Sequence, residues 1–156
     1  GHGPEANKVI VEAASNFKLC PASEPEEIIR FLHSPLKKTR GGVGTVVVYD
    51  FLEASAKVLG VGNISTKIID GIELKNVMSY NGIIGHNIPN SMSNHVLRSQ
   101  DFRYLVLCSD GIKSRWDLSK LPMILRYDPT IIAAAIYKDF GRLTDDMSIV
   151  IIKTNK

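Results

Sequence analysis

Two acidic turns are the residues best placed to do chemistry in this chain. The first holds Asp110, which closes the segment Tyr104-Leu105-Val106-Leu107-Cys108-Ser109-Asp110-Gly111. An apolar run rich in branched side chains reads as a short buried strand, so Asp110 is carried at the end of a rigid element. Gly111 permits a backbone turn that a Cβ would resist. The second turn is Asp145-Asp146-Met147-Ser148, which leads straight into Ile149-Val150-Ile151-Ile152. A carboxylate fixed to a core strand is a sound base for a metal or catalytic site. The plainer role of a strand-end Asp-Gly pair is to cap a turn. If Asp110 and Asp145 meet, two carboxylates about 4 Å apart repel by roughly 4 kcal/mol at an effective dielectric of about 20. A shared proton or a divalent cation can offset that repulsion. The chain lacks the clustered Cys or His that Zn2+ prefers. Oxygen ligands alone favour Mg2+ or Mn2+, with several waters kept on the ion. Such an ion can activate water and clamp a phosphoryl oxygen, which makes metal-assisted phosphoester hydrolysis the reaction this pair would serve.

Composition bounds what can position them. A length of 156 residues, 44% hydrophobic and 22% charged, is most simply one domain with a real core. The net charge is only +3, and the basic residues are scattered apart from Lys37-Lys38-Thr39-Arg40, so no nucleic-acid surface is indicated. No apolar run approaches the roughly 18 residues that span a bilayer, and there is no signal-peptide pattern. Cys20 and Cys108 lie far apart and belong to no C-x-x-C pair. Two reduced thiols in a cytoplasmic protein is the favoured reading; a disulfide is the alternative.

The first element is a helix beginning at Pro4 and ending near Cys20-Pro21. Its expected buried face is Ala6, Val9, Ile10, Ala13, Ala14 and Phe17. Ser23 and Glu26 fit a capping box for a second helix, with Pro25 in its first turn and Ile28, Ile29 and Leu32 inward. It ends near Ser34-Pro35 or continues irregularly through Leu36. From Thr39 the period changes. Thr45 to Tyr49 and Ala56 to Gly62 read as strands. Gly42-Val43-Gly44 and Gly60-Val61-Gly62 do not complete a nucleotide-binding loop, and neither leads into a helix. Asp70-Gly71 and Asn81-Gly82, each between apolar runs, predict two hairpins and an antiparallel sheet. Gly85 to Ser99 reads as a polar loop in which His86 and His95 are solvated. After Asp110, Asp117 caps a short helix over 118–126. Asp128-Pro129 starts another, with Ile131, Ile132, Ala135, Ile136 and Phe140 inward and Gly141 at its end. A strand from Met147 to Ile152 closes the chain. Helices grouped against antiparallel strands predict a layered α+β fold.

Several segments, in order along the whole chain, resemble the PP2C-type serine/threonine phosphatases, specifically the bacterial SpoIIE/RsbX-like branch. Gly1-His2-Gly3-Pro4-Glu5-Ala6 matches the end of the motif that opens that family's long helix. Thr39-Arg40-Gly41-Gly42 and Gly60-Val61-Gly62-Asn63-Ile64 match two internal glycine signatures. Leu105 to Gly111, followed by Ser114-Arg115-Trp116, matches the first acidic motif, and Asp145-Asp146-Met147-Ser148 the last. The resemblance implies an α-β-β-α sandwich of two antiparallel sheets between helical layers. It implies Asp110 and Asp145 as metal ligands, with Asp146 the second choice for the last position. It implies two Mn2+ or Mg2+ ions and attack by metal-bound water, with no catalytic side chain beyond it. The implied substrates are phosphoserine or phosphothreonine in partner-switching regulators, namely STAS-type anti-sigma-factor antagonists and stressosome proteins of bacterial signalling. The family's bridging Asp falls just before the position of Gly1, so the resemblance also implies an N-terminally truncated domain over residues 1–156. Two other readings stay open: a pseudophosphatase or docking domain that binds the same regulators, and a structural α+β domain whose acidic turns are only caps.

Overall fold

Sequence and geometry agree first where the chain is richest in β-branched residues. The computed structural model describes residues 3–71, 73–118, 122–142 and 144–154. Thr45-Val46-Val47-Val48-Tyr49 lies within strand β1 (Gly44–Asp50), which pairs antiparallel with β2 (Ser55–Val61), Val47 opposite Val58. The chain divides into two compact units: residues 1–64 with 78–97, and residues 65–77 with 98–156. No helix of the described residues is long and apolar enough to cross a membrane.

The first unit holds helices α1 (Pro4–Phe17) and α2 (Pro25–Leu36) and a four-stranded sheet. Its core joins Val9, Ile28, Ile29, Leu32 and Leu36 to Leu59, Val61, Ile84 and Met92. Four expectations fail here. The face expected for α1 is mostly open: Val9 is its only fully buried residue, while Ile10 is 66% and Phe17 53% exposed. Ile10, Ala13, Ala14 and Phe17 instead line a groove of about 510 Å3 with 42–47 of the β1 segment. The capping box at Ser23 does not form. Glu24 takes the N-cap position without a side-chain cap, because its carboxylate pairs with Lys57 and accepts from Asn94 Nδ2 at 3.0 Å. The Asn81-Gly82 hairpin is also absent. Gly62 N–H donates to Tyr80 C=O at 2.8 Å, and this holds β5 (Ser79–Tyr80) parallel to β2. The turn comes later, where Ile83 N–H donates to Asn87 C=O at 2.7 Å. Finally, the expected 85–99 loop contains β6 (His95–Arg98), which pairs with β2.

The second unit is a sheet of order Glu73–Val77, Ser65–Asp70, Tyr104–Cys108, Ile149–Lys153 with one long helix. Its strands are β3 (Ser65–Asp70), β4 (Glu73–Val77), β7 (Tyr104–Cys108) and β8 (Ile149–Lys153). Asp70 stands opposite Glu73, so the first predicted hairpin forms, with Gly71 at φ +58° in the turn. Helix α3 (Pro129–Phe140) starts as expected, Asp128 accepting from Thr130 N–H at 2.8 Å. Ile132 and Ile136 are buried, but Ile131 is 46% exposed, since a helix on one side of a sheet buries only a narrow stripe. The helix expected over 118–126 is a short 3-10 turn, Pro122–Arg126, and residues 119–121 lie outside the described ones. Ile69, Tyr104, Val106, Cys108, Ile112, Trp116, Leu118 and Leu125 complete the core with α3. The α+β class is therefore observed, as two sheets and three α-helices among the described residues.

Candidate metal centre

Both acidic turns belong to the second unit, and one strand pair positions them. β7 and β8 run antiparallel with Cys108 opposite Ile149. This register ends β7 where β8 begins, so Asp110 leaves the sheet beside the turn that enters it. Ser109 fastens the two. Its N–H donates to Ser148 C=O at 3.0 Å, its Oγ accepts from Ser148 N–H at 2.9 Å, and that Oγ stands 3.4 Å from Asp146 C=O. The sequence reading passed over Ser109; its signal was a hydroxyl at the junction of strand and turn, where it can bond backbone.

Past Asp110 the chain stays against the same neighbour. Arg142 N–H donates to Gly111 C=O at 2.7 Å, and Lys113 N–H donates to Phe140 C=O at 2.9 Å, on either side of an Ile112–Gly141 bridge. Gly111 is needed for a reason other than the one expected. Its φ is not positive, but a Cβ there would lie 2.1 Å from Asp146 C=O and 2.8 Å from Met147 Cγ. The glycine allows close approach of two backbones.

The carboxylates differ in surroundings. Asp110 and Asp146 are exposed, and among the described residues neither side chain has a hydrogen bond or ion pair. Asp145 is half-buried, and its Oδ1 accepts the N–H of Asp146 at 2.9 Å. Asp145 N–H in turn donates to Arg142 C=O at 3.3 Å. The donors are hard oxygens, which suit Mg2+ or Mn2+. No group of three or more His, Cys, Asp or Glu able to hold a metal occurs among the described residues. Asp110 and Asp145 stand on neighbouring turns, joined through Ser109 and the β7–β8 register. His86 and His95 lie in the other unit, in the 83–87 turn and in β6.

The strand behind Asp110 is buried and chemically quiet. Cys20 and Cys108 are both free thiols. Burial pushes the Cys108 thiol up to about 11, against the opposing pull of Lys67. Lys67 is only 4% exposed. Its Nζ donates to Asn76 Oδ1 at 2.8 Å and sits 5.2 Å from the centre of the Trp116 ring, while burial lowers its pKa. Trp116 is the chain's single tryptophan and is itself buried.

No protein-family model matches the chain, and no curated protein matches it. Solved structures do. A chain from the bacterial stressosome, a modular system adapted to control secondary messenger signaling, superposes with a TM-score of 0.81 at 24% identity, covering 97% of this chain and 79% of that one. RsbX in complex with magnesium gives 0.76 at 18% identity, covering 99% of this chain and 77% of RsbX. The phosphatase domain of the cell fate determinant SpoIIE from Bacillus subtilis gives 0.53 at 22% identity, covering 100% and 74%. The fold is that of the PP2C-type bacterial phosphatases.

Proposed function

We propose that this PP2C-like fold serves here as a metal-dependent protein serine/threonine phosphatase domain spanning the whole chain. Its substrates would be phosphorylated partner-switching regulators of the anti-sigma-antagonist or stressosome type, in the cytoplasm. The observation that supports the reading is the β7–β8 register, which brings the Asp110 turn beside the Asp145-Asp146 turn in a fold similar to that of the SpoIIE phosphatase domain. Asp110 and Asp145 would hold the cation, with Asp146 as the alternative ligand at the second turn. Mn2+ or Mg2+, once bound, would supply Lewis-acid stabilisation of the phosphoryl group and an activated water. Ser109 and Gly111 keep the two turns at fixed separation, so little rearrangement is needed on metal binding. The exposed carboxylates leave the site open to a protein substrate rather than enclosing a small one.

A second reading is favoured by one observation. The described residues assemble no group of three metal-capable side chains. A docking domain that binds the same regulators without turnover is consistent with that. Mn2+ titration followed by Trp116 fluorescence, with turnover of a phosphoserine peptide, separates the two. Saturable Mn2+ binding with hydrolysis, both lost in Asp110→Asn, supports the phosphatase. Regulator binding without Mn2+-dependent hydrolysis supports the docking domain.

A further inference from the structure

We propose that Arg142, assisted by Lys113, grips the phosphoryl group of the substrate beside the acidic turns; this rests on the phosphatase reading above. Carboxylates alone repel a phosphate dianion, so a site built on Asp110 and Asp145 needs positive charge near the incoming phosphate. Arg142 occupies a suitable place. Its N–H is bonded to Gly111 C=O at 2.7 Å, one residue from Asp110, and its C=O accepts the N–H of Asp145 at 3.3 Å. Main-chain bonds therefore lock this residue between the two acidic turns. Its side chain is exposed, and among the described residues it makes no ion pair, although Asp145 and Asp146 follow closely in sequence. Lys8, Arg30, Lys57 and Lys75, by contrast, each pair with a carboxylate. Lys113 is likewise exposed and held by Phe140 C=O on the same short ladder. A planar guanidinium can take two phosphate oxygens at once, and a pinned backbone lowers the entropy cost of doing so.

The test compares the full chain with Arg142→Gln and Arg142→Lys. A fluorescein-labelled phosphoserine peptide and its unphosphorylated twin are titrated by anisotropy in metal-free buffer. KM and kcat are then measured with Mn2+ on the peptide and on p-nitrophenyl phosphate. Removing a charge-assisted contact of this kind is expected to weaken phosphopeptide binding about tenfold. KM should rise to match on both substrates, with kcat held within about threefold, because the contact is made in ground state and transition state alike. The unphosphorylated peptide should bind the variant and the parent equally, and Arg142→Lys should recover part of the loss. Melting temperatures confirm that each variant is folded. Equal phosphopeptide affinity in Arg142→Gln and parent overturns the proposal. So does a parent that does not prefer the phosphopeptide, and so does a KM effect confined to the peptide. Absent turnover in a parent whose phosphopeptide binding depends on Arg142 refutes the phosphatase reading and leaves Arg142 as a phosphate reader.

Discussion

Gly111→Ala puts the geometry of the site under a quantitative test. The added Cβ would stand 2.1 Å from Asp146 C=O, where ordinary contact begins at 3.4 Å, so the two turns must part by more than 1 Å. The obstacle cannot rotate away, since it is a backbone carbonyl two residues before Ser148, which is bonded twice to Ser109. Met147 Cγ, at 2.8 Å from the same Cβ, is pressed as well. Overpacking of this kind costs about 1–3 kcal/mol. For a chain of this length that lowers the melting temperature by about 3–10 °C. A misplacement on the order of 1 Å between catalytic groups costs about 100-fold in turnover. Thermal unfolding followed by Trp116 fluorescence reads the first effect, and Mn2+-dependent phosphopeptide hydrolysis reads the second. Gly44→Ala is the control, because its nearest neighbour would be Ile84 Cδ1 at 3.8 Å and its φ is not positive. A Gly111→Ala protein that melts within ~1 °C of the parent and turns over normally would refute the close approach and the site built on it.

Other perturbations probe separate links. Asp110→Asn should abolish most phosphatase activity with a stability change of less than about 1 kcal/mol, since the side chain is exposed and unbonded; near-parental hydrolysis would remove Asp110 from the site. Tyr104→Phe should cost about 1–3 kcal/mol in urea unfolding, because Tyr104 Oη donates to Leu125 C=O at 2.8 Å in the core and the carbonyl would lose its partner; a cost below about 0.5 kcal/mol contradicts this. His33 Nδ1 accepts the N–H of Gly85 at 3.0 Å, and partial burial, then Lys37, Arg30 and His86, hold its pKa below 6.5. Its neutral form is the one the fold uses, so its contribution is complete above 6.5 and is lost as pH falls through that value toward the folded pKa. Urea unfolding at stepped pH should show this decline in the parent and a shallower one in His33→Gln; parallel curves would exclude His33 as its source.

What the sequence disclosed and what it hid follow from locality. The runs Val46-Val47-Val48, Leu105-Val106-Leu107 and Ile149 to Ile152 announced strands because β-branching and burial act at the residue itself. Asp128-Pro129 announced α3 because a cap is a bond between residues two apart. The failures involve distant partners. Ser23 and Glu26 satisfy a capping rule locally, but Lys57 and Asn94 draw Glu24 elsewhere. Asn81-Gly82 has hairpin chemistry, yet Gly62 captures Tyr80 first. At the site, both acidic turns were visible as Asp beside a strand. That they converge was an expectation from two strand-borne carboxylates and from the family resemblance; the β7–β8 register and the Ser109 bonds that join the turns were not legible locally. Arg142 carried no signal at all until Gly111 was found bonded to it.

The aspartates are not what builds the site. Two of the three carboxylates have no protein partner among the described residues, so their charge does little to hold the turns in place. The placement comes from a wedge. Met147 lies between two glycines: a Cβ on Gly111 would come within 2.8 Å of its Cγ, and one on Gly141 within 2.6 Å of its Sδ. Met147 also packs on the unit's core beside Phe140 and Ile149. The end of α3, the Asp145-Asp146 turn and the end of β7 are therefore brought together by apolar packing and main-chain bonds. The carboxylates are then presented, uncompensated, at the surface of that packed junction. Stability and activity should accordingly separate in this unit: substitutions at Gly111, Gly141 and Met147 act on both, and substitutions at the exposed, unbonded Asp110 act on function alone.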